Sequence, residues 1–278
     1  MTSQKPGAEI FELGNDLVLP GSNLPEIWIT YFDEEFPYGK SGRNYLGVYP
    51  SAMSMITDEE DTDGNLALSL GADYYNEGMS YSAASHHQER IDCFRAAEIL
   101  YRHAAYRGNL QACTNLAYIY SYDRCEGDYW VNPDTLIEAE DYTRPFPAKE
   151  EAFRYCKIAA DGGICEAMYK LGDFYKKGLG CQANVESSFE YYEKAVATVE
   201  AYDDEPEAVW ASAYQRLAEC YENGFGCEQN FTLALQNYKR AEIGFDLAIA
   251  NGEHNYQDVH KKVKASVLNI QQEIHGGY

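Results

Sequence analysis

The stretch AMYKLGDFYKKGLGC, Ala167–Cys181, decides the fold, because the chain repeats its pattern 46 residues later as AYQRLAECYENGFGC, Ala213–Cys227. Both copies carry an alanine, a leucine and a tyrosine at intervals of four residues, and both end in Gly-x-Gly-Cys. An interval of four places these side chains on one face of a helix. Similarity at a fixed offset therefore predicts an array of repeated helical units.

Each unit is predicted to be a hairpin of two helices, A and B. Gly178 and Gly224 follow helix A, where glycine readily takes the left-handed conformation that ends a helix. Asn184 and Asn230 precede helix B and are expected to cap its free amides. A small residue after the repeat leucine, such as Gly172, lets helix B approach helix A closely.

A less regular first unit is predicted, and its helix B runs to YRHAAYRG, Tyr101–Gly108. Leu70 opens its helix A pattern, and YNEG, Tyr75–Gly78, is predicted to close that helix. Ser85 and Gln88 have the spacing of a capping box at the start of helix B.

A second irregular unit follows. It is built around Leu116, and Cys156/Ala159 takes the place of the Tyr-x-x-Ala sequence near the end of helix B in the other units. Its long insertion contains Asn132-Pro133-Asp134, which predicts a short extra helix.

Three regions are predicted. Residues 1–64 form an acidic N-terminal extension, in which Ile27–Phe32 is either a strand or an extended arm packed on the first repeat. Residues 65–251 form the array, and residues 252–278 form a helix that caps its open end. The capping helix carries an apolar stripe consisting of Val259, Val263, Val267, Ile270 and Ile274.

The motifs AMYKLGDFYKKGLGC and AYQRLAECYENGFGC, with the helix B ends YYEKA and NYKRA, resemble the Sel-1-like repeat. This family is related to the tetratricopeptide repeats, and the resemblance covers about residues 65 to 251. It implies an all-α fold, an α/α superhelical solenoid of about four helix hairpins. It also implies an adaptor that binds proteins and lacks catalysis of its own. Some members are secreted and carry a disulfide in each hairpin, but Ala160 and Met168 stand at the matching positions here.

Related repeats bind ligands on the concave face lined by helix A, so the resemblance places partner contacts on the part of each helix A that faces away from the stripe. Helical spacing puts the chosen residues off the Ala/Leu/Tyr stripe. The predicted partner-binding residues are Gln111, Thr114, Tyr118, Tyr122, Glu166, Tyr169, Asp173, Lys176, Gln215, Glu219 and Glu222, and neighbours on the same faces are Ser121, Lys177, Ser212 and Asn223.

The net charge of −23 repels phosphate backbones, so we expect no nucleic-acid partner. The charge favours a basic protein or peptide. No run of apolar residues is long enough for a membrane span, and no signal peptide is visible at Met1–Gly14. The eight cysteines show no metal-binding spacing and are predicted to be reduced, mostly buried thiols of a cytoplasmic protein.

Other patterns give no catalytic, cofactor or metal site. DEEDTDG, Asp58–Gly64, faintly resembles a calcium loop, but Leu70 stands where the last ligand should be. The alternative is a polar linker that brings acidic charge to the N-terminus of the first helix. Adjacent residues such as His86 and His87 point about 100° apart on a helix and make a poor metal pair.

Three functions follow from these observations. The first is a scaffold or adaptor that binds a protein or peptide on the helix A face. The second is an acidic inhibitor or immunity protein that neutralises a cationic toxin or enzyme. The third is an enzyme, which is disfavoured because no nucleophile or acid/base constellation is visible.

Overall fold

The computed structural model describes residues 61–124, 148–201 and 205–276. Within these ranges the chain forms nine α-helices and one short 3-10 helix, and no strand. The chain divides into two compact units, Met1–Ile158 and Ala159–Tyr278. The predicted fold class, an all-α solenoid type built from helix hairpins, is confirmed.

The first unit contains α1 (Asn65–Ser80), α2 (His87–Tyr106), α3 (Leu110–Ser121) and most of α4 (Ala148–Asp161). Helix α2 packs against both α1 and α3. The rings of Tyr120 on α3 and Tyr155 on α4 stack with centroids 5.9 Å apart.

Asp61 fixes the start of α1. Its buried carboxylate accepts hydrogen bonds from the backbone amides of Leu66 (2.9 Å) and Ala67 (3.2 Å). These amides lie in the first helical turn, where amides have no partner inside the helix and where negative charge is favourable. The linker interpretation of Asp58–Gly64, with acidic charge at the helix N-terminus, is therefore confirmed at Asp61.

The predicted end of α1 at Gly78 is wrong, because the helix continues to Ser80. Gly78 is buried, and a Cβ atom added to it would lie 3.0 Å from the ring of Phe94 and 3.1 Å from Cβ of Cys93. The glycine therefore gives α2 room to approach α1, and it does not terminate the helix.

The second unit contains α5 (Cys165–Lys177), α6 (Val185–Ala201), α7 (Glu207–Asn223), α8 (Phe231–Ala250), a 3-10 helix (His254–Tyr256) and α9 (Gln257–Gly276). Helices α5 and α6 form one hairpin, and α7 and α8 form the next. Helix α7 also packs against α5 and α6, so the two hairpins share one apolar core.

The predicted stripes face the protein interior. Ala167 and Leu171 on α5 are buried, and so are Ala213 and Leu217 on α7. Tyr175 is half-buried, and its ring stacks on Tyr191 of α6 at a centroid distance of 5.8 Å. The pairs predicted near the end of helix B are also buried: Tyr101/Ala104, Cys156/Ala159, Tyr192/Ala195 and Tyr238/Ala241. Their predicted place at the helix end is wrong for α6 and α8, which continue to Ala201 and Ala250.

In the second unit, helix A ends and helix B begins where the sequence predicts. Helices α5 and α7 end at Gly178 and Gly224, whose φ angles of 66° and 69° are left-handed. The side-chain oxygen of Asn184 accepts from the amide of Ser187 at 2.8 Å. That of Asn230 accepts from the amide of Leu233 at 3.0 Å. Each asparagine thus caps its helix B.

The small residue after the repeat leucine has the predicted packing role. A Cβ atom on Gly172 would overlap the ring of Tyr192, and one on Gly71 would lie 2.6 Å from Cε1 of Tyr101. In both hairpins a tyrosine of helix B therefore occupies the space that a larger side chain on helix A would need.

The C-terminal helix α9 covers the last hairpin. Val263, Val267 and Ile270 enter the core, and α9 packs along α8. The lysines at positions 261, 262 and 264 are exposed. The predicted apolar stripe therefore faces the array. Asn251 ends α8, and Gly252 follows with a φ of 100°.

Several predictions lie outside the described residues. They concern the extension up to residue 60 with Ile27–Phe32, the short helix at 132–134, and the side chain of Gln88. In the part of the chain that is described, every helix is too short or too polar to span a bilayer.

Candidate functional site

An ion pair joins the helix A segments of the second unit. Nε and Nη2 of Arg216 on α7 donate to the two carboxylate oxygens of Asp173 on α5, at 2.8 Å for the shortest contact of each nitrogen. The two side chains are 20% and 22% exposed. This geometry is a bidentate guanidinium–carboxylate contact, which is strong and directional.

Two tyrosines complete the surroundings of this pair. The hydroxyl of Tyr192 donates to Oδ1 of Asp173 at 2.7 Å, and the guanidinium of Arg216 lies 4.5 Å from the ring centroid of Tyr169. Burial opposes ionisation of Asp173. The charge of Arg216 and the hydrogen bonds from Arg216 and Tyr192 outweigh it, so the pKa of this carboxyl is lowered. Asp173 is therefore a carboxylate, acts only as an acceptor and keeps its neighbours in fixed positions.

A second pair lies along the same face. Nζ of Lys176 on α5 lies 3.2 Å from Oε2 of Glu219 on α7, and Gln215 donates to the other oxygen of Glu219 at 3.0 Å. Lys176 also lies 5.2 Å from the ring centroid of Phe225, which is exposed. We call the residues of these two pairs, with Gln215, the ion-pair face: Asp173, Lys176, Gln215, Arg216 and Glu219.

The structure thus brings four predicted partner-binding residues together, namely Asp173, Lys176, Gln215 and Glu219. The other two acidic candidates have different surroundings. Glu222 accepts a hydrogen bond from the hydroxyl of Tyr238 at 2.6 Å, which ties α7 to α8. Glu166 is half-buried in the first turn of α5. The neighbours Lys177 and Asn223 are exposed.

The predicted exposure of Thr114 and Tyr169 is wrong. Thr114 is 1% exposed and Tyr169 is 4% exposed, and Ser212 is also buried. Thr114 and Tyr169 both stand two residues before the repeat leucine. In the second unit α5 contacts α6 on one side and α7 on the other, so a second sector of the helix is buried besides the stripe.

Two candidate residues at the end of α3, in the first compact unit, form an aromatic pair. Tyr118 and Tyr122 stack nearly parallel, with centroids 6.0 Å apart and 5° between the planes. Tyr122 is 56% exposed, and the guanidinium of Arg124 lies 5.1 Å from its ring centroid. Gln111 is half-buried and donates to Asn115 at 3.3 Å. Tyr118 is half-buried, and exposed tyrosine rings such as that of Tyr122 are common at protein interfaces.

The interior of the first unit also contains charged groups. Glu98 and Arg102, one turn apart on α2, both hydrogen-bond the hydroxyl of Tyr120 on α3. All three residues are buried. The cluster therefore holds α2 and α3 together in a fixed register and is not available to a partner.

Sequence reasoning missed Arg216 and the polar role of Tyr192. Arg216 directly precedes the repeat leucine Leu217, and Lys170 directly precedes Leu171 in the preceding unit. A basic residue that recurs at this position in two repeats was the sequence signal that could have identified Arg216. The ring of Tyr192 packs against α5 at Gly172, and its hydroxyl also reaches Asp173.

The cysteines have the predicted placement in the described residues. Cys93, Cys113, Cys156, Cys165 and Cys220 are buried, while Cys181 and Cys227 are half-buried. Burial raises the pKa of Cys113 to about 12, and it does the same at Cys165 and Cys220. These groups are therefore protonated, unreactive thiols at neutral pH.

Comparison with known proteins identifies the repeats. The model of the Sel1 repeat matches residues 110–130, 146–164, 165–197 and 211–242. In terms of the predicted repeats, these stretches correspond to the two helices of the second repeat and to the third and fourth repeats. The predicted first unit, α1 and α2, precedes them.

One curated relative and two solved structures are similar to parts of the chain. Chitin synthase regulator SKT5 of Saccharomyces cerevisiae is 32% identical over 120 residues, covering 34% of this chain and 17% of that protein. A Sel1 repeat protein from Oxalobacter formigenes has a TM-score of 0.47 at 19% identity, over 70% of this chain and 65% of that one. The Escherichia coli protective antigen c5321 has a TM-score of 0.29 at 17% identity, over 79% of this chain and 56% of that one. By the family match, this chain carries Sel1 repeats, as its sequence motifs predicted.

Proposed function

We propose that this chain is a non-catalytic interaction scaffold that binds a protein or peptide on the helix A faces of its repeats. The observation that carries the proposal is the ion-pair face. Its side chains are held in place by cross-helix contacts, yet Lys176 and Glu219 remain 30% and 33% exposed. Side chains that are ordered before binding lose little conformational entropy when a partner docks.

The chemistry of this face suits a polypeptide. Gln215 and Lys176 supply donors, and Glu219 supplies acceptors, at neighbouring positions on two helices. An extended peptide offers amides and carbonyls in alternation, so it satisfies both kinds of group. The net charge of −23 favours a partner that carries basic residues, because such a partner is attracted over distance.

Two further observations agree with this proposal. The protein that shares 32% identity with this chain over 120 residues is described as a chitin synthase regulator, which agrees with an interaction role. The buried, protonated thiols suit a reducing compartment, so we propose a cytoplasmic location.

The proposal is tested by comparing two lysine–carboxylate pairs that have the same nitrogen–oxygen distance. Lys176 with Glu219 lies on the ion-pair face, whereas Lys261 with Asp258 on α9 lies elsewhere at the same distance of 3.2 Å. We expect the double variant Lys176→Ala/Glu219→Ala to lose a captured protein in quantitative affinity purification. The variant Lys261→Ala/Asp258→Ala should retain that protein, and both variants should melt like the wild type.

Equal capture by the two double variants would contradict a binding role for the ion-pair face. Capture that disappears for every variant when salt is raised would instead assign binding to the overall charge of the surface. Repeating the capture at two salt concentrations separates these outcomes.

A further inference from the structure

Three potential metal ligands meet where α9 begins to pack on α8. Glu242 and Asp246 are one turn apart on α8, and His260 lies in the first turn of α9. A carboxylate oxygen from each acid and a ring nitrogen of the histidine all lie within 4.8 Å of one another. Side chains four residues apart share one helix face, so both carboxylates point toward α9.

The histidine is the most informative member of this cluster. His260 is only 9% exposed, and its Nε2 is shielded from solvent without a hydrogen bond among the described residues. This nitrogen lies 3.1 Å from Oδ1 of Asp246, a close contact whose direction does not make a hydrogen bond. A buried polar atom that makes no hydrogen bond is costly, and coordination to a cation would satisfy it.

We propose that Glu242, Asp246 and His260 bind a divalent cation of the zinc class. One imidazole nitrogen and two carboxylate oxygens are a ligand set that suits Zn²⁺, whereas Ca²⁺ and Mg²⁺ prefer oxygen ligands alone. Bonds of about 2.0–2.1 Å in a tetrahedron place neighbouring ligand atoms about 3.3 Å apart. Asp246 and His260 are close to this spacing at 3.1 Å, and the ligand oxygen of Glu242 lies within 4.8 Å of both, so a bound ion requires Glu242 to move closer.

One neighbour opposes the cation. Nζ of Lys264 lies 3.8 Å from Oε1 of Glu242, and this ion pair must open when Glu242 turns to the metal. Lys264 is half-exposed, so its ammonium group can move into solvent. The bound ion would connect α8 to the start of α9 and hold the capping helix in place.

The test uses the full chain, freed of metal with a chelator and titrated with Zn²⁺ by calorimetry at neutral pH. We expect one Zn²⁺ per chain and a melting temperature that rises with Zn²⁺. Asp246→Asn should weaken binding by more than about 100-fold, since even outer partners of metal ligands contribute about 10–100-fold. Asp246 is 57% exposed on its side chain, so this variant should fold normally.

Two other variants sharpen the test. Asp258→Asn removes an exposed carboxylate of α9 outside the cluster and should bind Zn²⁺ as the wild type does. Lys264→Gln removes the competing ammonium group and should tighten Zn²⁺ binding. A variant that merely damaged the fold would instead weaken Zn²⁺ binding.

Co²⁺ is used in place of Zn²⁺ to test whether cysteine thiolates coordinate the metal, because cobalt–thiolate complexes have a charge-transfer absorption band. We expect Co²⁺ to bind without that band, and Cys181→Ser/Cys227→Ser to leave the affinity unchanged. The proposal is overturned if the wild type shows no saturable binding in the micromolar range. It is also overturned if Asp246→Asn binds as tightly as Asp258→Asn.

Discussion

The carboxylate of Asp173 receives hydrogen bonds from two helices, from Arg216 of α7 and from Tyr192 of α6. Such a group joins a hairpin to its successor, because α5 and α6 belong to one repeat and α7 to the next. A partly buried guanidinium loses its main acceptor if the carboxylate is removed, which costs more than the loss of an exposed pair.

At the residue scale, we predict that Asp173→Asn lowers the free energy of unfolding by about 2 kcal/mol at neutral pH. This lies between the roughly 1 kcal/mol limit for exposed pairs and the roughly 3–5 kcal/mol for breaking fully buried ones. Urea denaturation of wild type and variant measures the difference, and Asp258→Asn, in an exposed pair, should change stability by less than about 0.5 kcal/mol.

The same variant has a defined pH dependence. The fold lowers the pKa of Asp173 from its ordinary value of 3.8, so the ionised side chain stabilises the fold above that pH. This contribution is lost as the pH falls through the folded-state pKa. The stability difference between wild type and Asp173→Asn should therefore shrink below pH 3.8, and a constant difference across the acid range would contradict the ion-pair role.

At the element scale, α9 acts as the apolar cover of the last hairpin. Val263 is buried against α8, whereas Leu268 on the same helix is exposed. The helix is therefore held by one apolar stripe, and substitutions on its buried face should lower stability more than substitutions on its exposed face.

We predict that Val263→Ala lowers the free energy of unfolding by about 2 kcal/mol, because two buried methyl groups are lost and a cavity remains. Leu268→Ala removes a larger group but should change stability by less than about 0.5 kcal/mol. Thermal and urea unfolding of both variants check this. Similar losses for the two variants would mean that α9 is covered on both faces.

At the scale of the whole molecule, 45 acidic residues against 22 basic ones produce strong self-repulsion. Salt shortens the range of this repulsion, from a Debye length of about 30 Å at 0.01 M to about 8 Å at 0.15 M. Local ion pairs such as Asp173–Arg216 are partly buried and should be screened less.

We therefore predict that the melting temperature rises as sodium chloride increases over this range, because repulsion across the surface weakens. Differential scanning calorimetry at constant pH measures it, and sucrose serves as an uncharged control for general solute effects. A fall in melting temperature with salt would show that attractive surface pairs outweigh the net charge.

Much of the fold could be read from the sequence because the signals are local. The interval of four residues in Ala167, Leu171 and Tyr175 defines one helix face, and Gly178 and Asn184 mark a helix end and a helix start within a few residues. These features depend on the backbone conformation of neighbouring residues, which the side-chain types themselves determine. Gly78 is the counterexample, since its value to the fold lies in contact with Phe94 of another helix.

The candidate site depended on tertiary structure. Sequence spacing placed Tyr169 and Asp173 on one outward face, but α7 packs against α5 and buries the first while pairing the second with Arg216. Likewise, nothing local connects His260 to Asp246, which are joined only because α9 folds back on α8. A repeat pattern specifies which face of each helix meets its own hairpin partner. Which further sector is covered depends on how the next hairpin docks, and that is decided by contacts between residues far apart in the chain.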